Sequence, residues 1–282
     1  MKKILLFLVP AFLLLYLLFN QGDPNTKKDI LYSQALKKDM KVNIYLPTGY
    51  STDNKYPVLF LFHGKDGNED SFMNGFYGFN GIKIDRVADE LIQKGEIKPL
   101  VIVSPEIDNS YGINSSSTTI SRDGYNLGMY EDYILKELVP YIQDHYSVAT
   151  TRDGSFIGGI SMGGFVALNL GLSHPDVFSK IGGHSAAIWE NQNDIPTGLS
   201  WLAKSDMNLF ELVKKQDLSG IQLYLDHGDM DHDWLIQGNT YLNDLLDSHG
   251  VKTQLHVRNG GHNYSFWKSQ VKNYLLFYMQ NN

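Results

Sequence analysis

Phe156-Ile157-Gly158-Gly159-Ile160-Ser161-Met162-Gly163-Gly164-Phe165-Val166-Ala167-Leu168 reads as a buried strand, a tight turn and a helix in immediate succession. Within it, Gly159, Ser161 and Gly163 form the pattern G-x-S-x-G. A serine at the centre of that pattern stands on a sharp, strained strand-to-helix turn, with its oxygen thrust out above the sheet. The glycines answer a steric demand, because strand and helix backbones approach too closely there for side chains. The chemistry such a serine serves is nucleophilic acyl transfer through an acyl-serine.

Working outward, the same alternation of strand and helix recurs along the chain. Strands are expected over 40–46, 58–62, 100–103, 156–160, 180–183, 221–225 and 254–257. Val58-Leu59-Phe60-Leu61-Phe62 is apolar throughout, as in a strand covered on both faces. Helices are expected over 84–94, 130–145, 164–172, 234–249 and 266–279. Buried strands alternating with helices specify an α/β class with a mostly parallel sheet and helices on both faces. No internal repeat or second-domain break follows residue 30, so one domain over 27–282 is expected. In such sheets the site lies at the carboxyl ends of the strands.

A serine hydroxyl needs a base within hydrogen-bond reach, and the base needs an orienting acid. In chain order these follow the serine as acid, then histidine. His262 sits on the glycine loop Arg258-Asn259-Gly260-Gly261 after the last strand and is free to reach Ser161. His256 lies within that strand, His174 precedes Pro175 in a helix-ending turn, and His249 closes a helix before Gly250. The acid comes from Asp226-His227-Gly228-Asp229-Met230-Asp231-His232-Asp233, which follows the strand 221–225. Asp231 is the first choice. Asp226 and Asp229 remain open, and Asp233 is placed to cap the next helix. A calcium site is the competing reading of four carboxylates, but their spacing does not fit an EF-hand loop, and no metal is expected.

An oxyanion hole requires two N–H donors aimed where negative charge develops. The Met162 amide, directly after the serine, is one. The other is expected from His63-Gly64-Lys65-Asp66-Gly67, with the Lys65 amide preferred over that of Gly64. Two long segments, 106–126 and 184–210, follow strand ends and are the candidate pocket walls. His63, Tyr111 and Trp189 are the candidate substrate contacts, and His184-Ser185 could also line the site.

Composition narrows the partners. The chain has 282 residues, 43% hydrophobic, with a net charge of −7. The acidic balance argues against nucleic acid or an anionic membrane surface as the main partner. With no cysteine, disulfides, thiolate metal sites, a cysteine nucleophile and a cysteine-linked lipid anchor are all excluded. Lys2 and Lys3 precede an apolar run from Ile4 to Phe19, interrupted only by Pro10. This is the pattern of an export signal or an uncleaved signal anchor. The positive end stays inside, so the body is expected outside the cytoplasm, secreted or tethered. Residues 21–28 read as a short polar tether.

Taken together, these motifs resemble the esterase D-like family of α/β-hydrolase serine esterases. The similarity runs from Tyr32-Ser33-Gln34-Ala35-Leu36-Lys37 and Val42-Asn43-Ile44-Tyr45-Leu46-Pro47 through Pro57 to Gly64. It continues in the helix Tyr133-Ile134-Leu135-Lys136-Glu137-Leu138-Val139-Pro140 and the serine turn. Gly228-Asp229-Met230-Asp231 resembles the family's acid loop, and Gly261-His262 followed by Phe266-Trp267 its histidine loop. The crowding of aspartates departs from the pattern. The resemblance implies an α/β-hydrolase fold, an ester or thioester acyl donor, and no cofactor. Family members include feruloyl and acetyl-xylan esterases, S-formylglutathione hydrolases, siderophore esterases and mycolyltransferases. An exported serine carboxylic-ester hydrolase acting on small-molecule or carbohydrate esters is therefore expected. The alternatives are acyl transfer to a cell-surface alcohol, and a non-catalytic carbohydrate-binding module on the same scaffold.

Overall fold

A computed structural model describes residues 25–74, 81–202 and 208–280. The apolar run from Ile4 to Phe19 lies outside the described residues. Among the described residues, no helix is long and apolar enough to cross a membrane.

Eight strands form one sheet in the order β1-β2-β4-β3-β7-β8-β9-β10. They are β1 (Thr26–Ser33), β2 (Lys38–Tyr45), β3 (Val58–Phe62), β4 (Val101–Pro105), β7 (Ser155–Ile160), β8 (Lys180–His184), β9 (Gln222–Gly228) and β10 (Lys252–Arg258). From β4 through β10 every neighbouring pair is parallel. β2 runs antiparallel to β4, and β1 antiparallel to β2. β1 therefore points the same way as the parallel strands and begins at the edge opposite their carboxyl ends. A short hairpin, β5 (Ile120–Arg122) with β6 (Tyr125–Leu127), stands apart. The central strands β3, β4, β7 and β8 are buried along their whole length, which is why they read as uninterrupted apolar or glycine-rich runs.

Helices cover both faces. On one face lie α1 (Ile84–Gln93) and α7 (Tyr264–Met279), contributing Ala88, Leu91, Val271 and Leu275 to a core with Leu59, Leu61 and Ile102. The other face is covered by α2 (Tyr130–Asp132), α3 (Val139–His145), α4 (Met162–Ser173), α5 (Leu209–Lys215) and α6 (Asp233–Ser248), over Val58, Phe60, Val103 and Ile157. The helix expected over 130–145 is present, but Tyr133–Leu138 is wound as a π-helix between α2 and α3. Pro140 follows at once. It offers no N–H to the carbonyl four residues back, which loosens the preceding turn.

Three elements were not expected. β1 takes up the end of the polar stretch 21–28, so the last residues of the supposed tether belong to the sheet. Its first half carries the charged residues Lys27, Lys28 and Asp29, as befits an edge, and Ile30 and Tyr32 in its second half are exposed. The β5–β6 hairpin and α5 lie inside segments that read as loops. Asp233 starts α6 and His232 precedes it as the cap residue, one position from the expected cap.

The turn at Ser161 shows why its glycines are required. A Cβ at Gly163 would lie 1.9 Å from the Phe62 carbonyl oxygen and 2.6 Å from that of His63. A Cβ at Gly159 would lie 2.2 Å from the Gly163 carbonyl oxygen. These neighbours are backbone and cannot swing aside. Gly163→Ala should therefore cost about 1–3 kcal/mol of stability, in the range of an overpacked core. Urea unfolding would show it as a lowered midpoint with an unchanged slope.

Candidate active site

Ser161 leaves β7 with φ 53° and ψ −116°, a strained conformation for a residue bearing a side chain. Three hydrogen bonds hold it. Its N–H donates to the His184 carbonyl at 2.9 Å, and its own carbonyl accepts from Ala187 N at 2.9 Å and Phe165 N at 3.1 Å. The serine backbone is thereby clamped between the end of β8 and the first turn of α4. Its side chain stands at the carboxyl edge of the sheet.

His262 reaches it from the loop after β10. Nε2 lies 2.8 Å from Ser161 Oγ, and Nδ1 lies 2.9 and 3.3 Å from the two carboxylate oxygens of Asp231. The carboxylate accepts, so Nδ1 carries the proton and Nε2 is left to accept from the serine hydroxyl. Asp231 also accepts from His232 N–H at 2.7 Å. Burial would raise the Asp231 carboxyl, but its hydrogen bond to His262, the electrostatic attraction of that ring and the His232 amide outweigh that and hold it below the usual carboxylate range.

The two loops that bring acid and base together lie directly on one another. Asp229 N donates to Arg258 O at 2.8 Å and Met230 N to Gly260 O at 2.9 Å. A Cβ at Gly228 would meet the Gly260 carbonyl oxygen at 2.0 Å. The three aspartates left open by the sequence separate here. Asp231 faces His262. Asp229 braces the loop by accepting from Gly260 N at 3.0 Å. Asp226 is wholly buried beneath the site, accepting from Tyr274 OH at 2.8 Å with His184 Nδ1 at 3.4 Å. Among the described residues, no group of three or more His, Cys, Asp or Glu side chains could hold a metal ion.

The loop after β3 flanks the serine. A Cβ on Gly64 would lie 3.4 Å from Ser161 Cβ. Gly67 N donates to Gly64 O at 3.0 Å and Asp66 N to Asn109 Oδ1 at 2.7 Å, fixing the loop that carries the Lys65 amide. The Lys65 ammonium turns aside to Asp66 at 2.9 Å, over the Tyr125 ring. Met162 opens α4, so its amide has no carbonyl one helical turn earlier to bond.

The expected substrate contacts need correction. His63 is fully buried, with Nδ1 2.8 Å from Gly64 O and Nε2 3.1 Å from both Ile107 N and Glu106 Oε1. It shapes the loop and has no surface to offer a substrate. Tyr111 and Trp189 are 4% and 9% exposed. Tyr111 packs against Phe165, Trp189, Trp201 and Tyr125, with centroids 5.1–6.4 Å away. The two long segments thus meet in an aromatic cluster over α4. His184 and Ser185 are likewise fully buried and do not line the site. Sequence reasoning missed the rings nearest His262. Trp267 stands edge-on at 5.0 Å and His232 at 5.4 Å, with His232 parallel to Trp234, which stacks on Trp189 at 4.7 Å. The signal available was two aromatic rings immediately after the acid, at His232 and Trp234.

A parallel α/β sheet with serine, imidazole and carboxylate in hydrogen-bonded series at its carboxyl edge has the build of a serine hydrolase. The chain belongs to the esterase family whose model, described as Putative esterase, matches residues 33–278. An acetyl esterase of Caldicellulosiruptor saccharolyticus is 24% identical over 86% of this chain and 93% of its own length. An endo-1,4-beta-xylanase/feruloyl esterase of Xylanibacter ruminicola is 28% identical over 56% of this chain, which spans only 21% of that longer protein. Among solved structures, a ferulic acid esterase superposes with a TM-score of 0.74 at 25% identity, covering 90% of this chain and 97% of the other.

Two aspartate variants separate acid from scaffold. Asp231→Asn should lower kcat by about 10⁴, since an amide favours the wrong imidazole tautomer. Asp226→Asn should lower the melting temperature, because it disturbs a buried pair, and leave far more activity than Asp231→Asn.

Proposed function

We propose that this chain is an exported carboxylic-ester hydrolase for short-acyl or carbohydrate-linked esters, acting through Ser161, His262 and Asp231. The observation that carries the reading is His262 Nε2 at 2.8 Å from Ser161 Oγ with Asp231 on the opposite ring nitrogen. Ser161 Oγ attacks the acyl carbon while its proton passes to His262 Nε2. Asp231 holds the resulting imidazolium in place. The tetrahedral oxyanion is received by the Met162 and Lys65 amides. As the intermediate collapses, the alcohol leaves with the proton from Nε2. Water then repeats the sequence on the acyl-serine, releasing the acid.

The substrate class rests on the acetyl esterase and feruloyl esterase relatives. Export rests on Lys2, Lys3 and the apolar run that follows. On this reading the same run holds the enzyme at the outer face of the membrane.

The purified protein should hydrolyse p-nitrophenyl acetate faster than the butyrate, and the butyrate faster than the octanoate. Ser161→Ala should lower kcat by about 10⁶. Folded protein, shown by a cooperative melt, that releases no p-nitrophenol from any of the three esters would overturn the reading.

A further inference from the structure

The Lys65 amide is one half of a peptide group whose other half is held by two bonds. That peptide is planar and trans, so the Gly64 C=O and the Lys65 N–H lie in one plane and point in opposite directions. The Gly64 oxygen accepts from His63 Nδ1 at 2.8 Å and from Gly67 N at 3.0 Å. Rotating the peptide would break both bonds, so the direction of the N–H is fixed from its far end. Among the described residues, nothing accepts from the Lys65 N–H. The group stands beside the nucleophile, since a Cβ on Gly64 would lie 3.4 Å from Ser161 Cβ and 3.6 Å from the Ile160 carbonyl oxygen.

The His63 ring is committed to its bond with the loop. A carbonyl oxygen can only accept, so Nδ1 carries a proton. The opposite nitrogen, Nε2, lies 3.1 Å from two groups of opposite kind, the Ile107 N–H and the Glu106 Oε1. It can accept from the first as a neutral ring, or donate to the second as an imidazolium. Nδ1–H donates to Gly64 in both states, so the bond to the loop does not depend on the charge of the ring. Glu106 Oε1 is itself held by the Asp108 N–H at 2.7 Å. The ring is fully buried, and a hydrogen bond shielded from water is electrostatically stronger.

The rest of the loop lets these bonds form. Asp66 has φ 60°, the left-handed turn conformation that brings Gly67 N back to Gly64 O. A Cβ at Gly67 would lie 3.0 Å from both Gly64 O and His63 Cβ, leaving little room for a side chain. Bonds accepted by a carbonyl oxygen also polarise the peptide and make its N–H a stronger donor.

We propose that His63 is a positioning residue of the oxyanion hole, whose Nδ1–H holds the Gly64 oxygen and thereby aims the Lys65 N–H at the oxygen that becomes negative in the transition state. It acts through the Gly64–Lys65 peptide and touches no reacting atom. Ile107 and Glu106 hold the ring from its other side. The proposal rests on the ester-hydrolase reading above and on the part given there to the Lys65 amide.

Two single substitutions divide the contacts of the ring. In His63→Asn the side-chain amide can take the place of Nδ1, and in His63→Gln it can reach the place of Nε2. The probe is a short alkyl trifluoromethyl ketone. Ser161 Oγ adds to its carbonyl carbon, the carbonyl π electrons move to oxygen, and the hydroxyl proton passes to His262 Nε2. The resulting hemiketal oxyanion occupies the oxyanion hole. Its dissociation constant, read by calorimetry on the full-length protein, is a property of folded sites alone, whatever fraction of the sample has unfolded. His63→Gln should weaken ketone binding by about 10–100-fold, less than the loss on deleting an oxyanion donor outright. It should lower kcat/KM for p-nitrophenyl acetate by the same factor. His63→Asn should restore both toward the parent values, even though it melts lower for want of the Ile107 and Glu106 contacts. Unchanged ketone binding in His63→Gln would overturn the proposal. So would equal losses in the two variants, since the bond to Gly64 would then not be what matters. Should His63→Gln fail to fold, His63→Asn decides alone: parental ketone affinity with a lowered melt supports the proposal, and weakened affinity overturns it. A parent that neither turns over the ester nor binds the ketone would defeat the ester-hydrolase reading itself, an outcome distinct from an active parent that His63→Gln leaves unaltered.

Discussion

The site depends on one backbone, that of Ser161, held in a conformation it would not adopt alone. Three hydrogen bonds from His184, Ala187 and Phe165 fix its peptide groups. They can form only because β7 and α4 come together at Gly159 and Gly163 with carbonyl oxygens where side chains would otherwise be. The serine oxygen is thus aimed by the framework and not by its own torsional preference. Everything else arranges itself around that fixed point. Gly64 lies against the serine Cβ, the β8 segment sits behind it, and His262 arrives from the far strand.

The second constraint joins acid to base. Asp231 and His262 lie on different loops, yet those loops share backbone hydrogen bonds at Asp229–Arg258 and Met230–Gly260. Gly228 is required by the same closeness. The imidazole is therefore oriented before any substrate arrives, which is the condition for electrostatic and proton-transfer catalysis without reorganisation. The three aspartates illustrate how position decides chemistry. One is buried against tyrosine hydroxyl and imidazole, one braces a turn, and one reaches the catalytic face.

Much of this was legible in the sequence, because the buried parallel strands β3, β4 and β7 and the Gly-x-Ser-x-Gly turn have steric causes that act over a few residues. His262 was legible for a similar reason, being on a glycine loop after the last strand. Asp231 could not be separated from Asp226 and Asp229 by spacing alone. The separation comes from Asp226 lying within β9, buried against Tyr274 and His184, while Asp229 and Asp231 lie beyond its end on the turn that packs against the β10 loop. His63 misled because a histidine after a strand looks accessible. Its burial is decided by Glu106 and Ile107, more than forty residues away. β1 was missed because an edge strand facing water need not be apolar, and the π-turn before Pro140 because its pattern is the same as that of a helix.

The direction of β1 has a consequence for where the enzyme works. That strand starts at the amino edge of the sheet, so a chain entering at Thr26 arrives behind the molecule, about 15–20 Å from the serine across the length of a strand. The carboxyl edge, with Ser161, His262 and Asp231 on it, is therefore left clear of the point where the chain enters the sheet, and access to the serine is set by the loops after β3, β9 and β10.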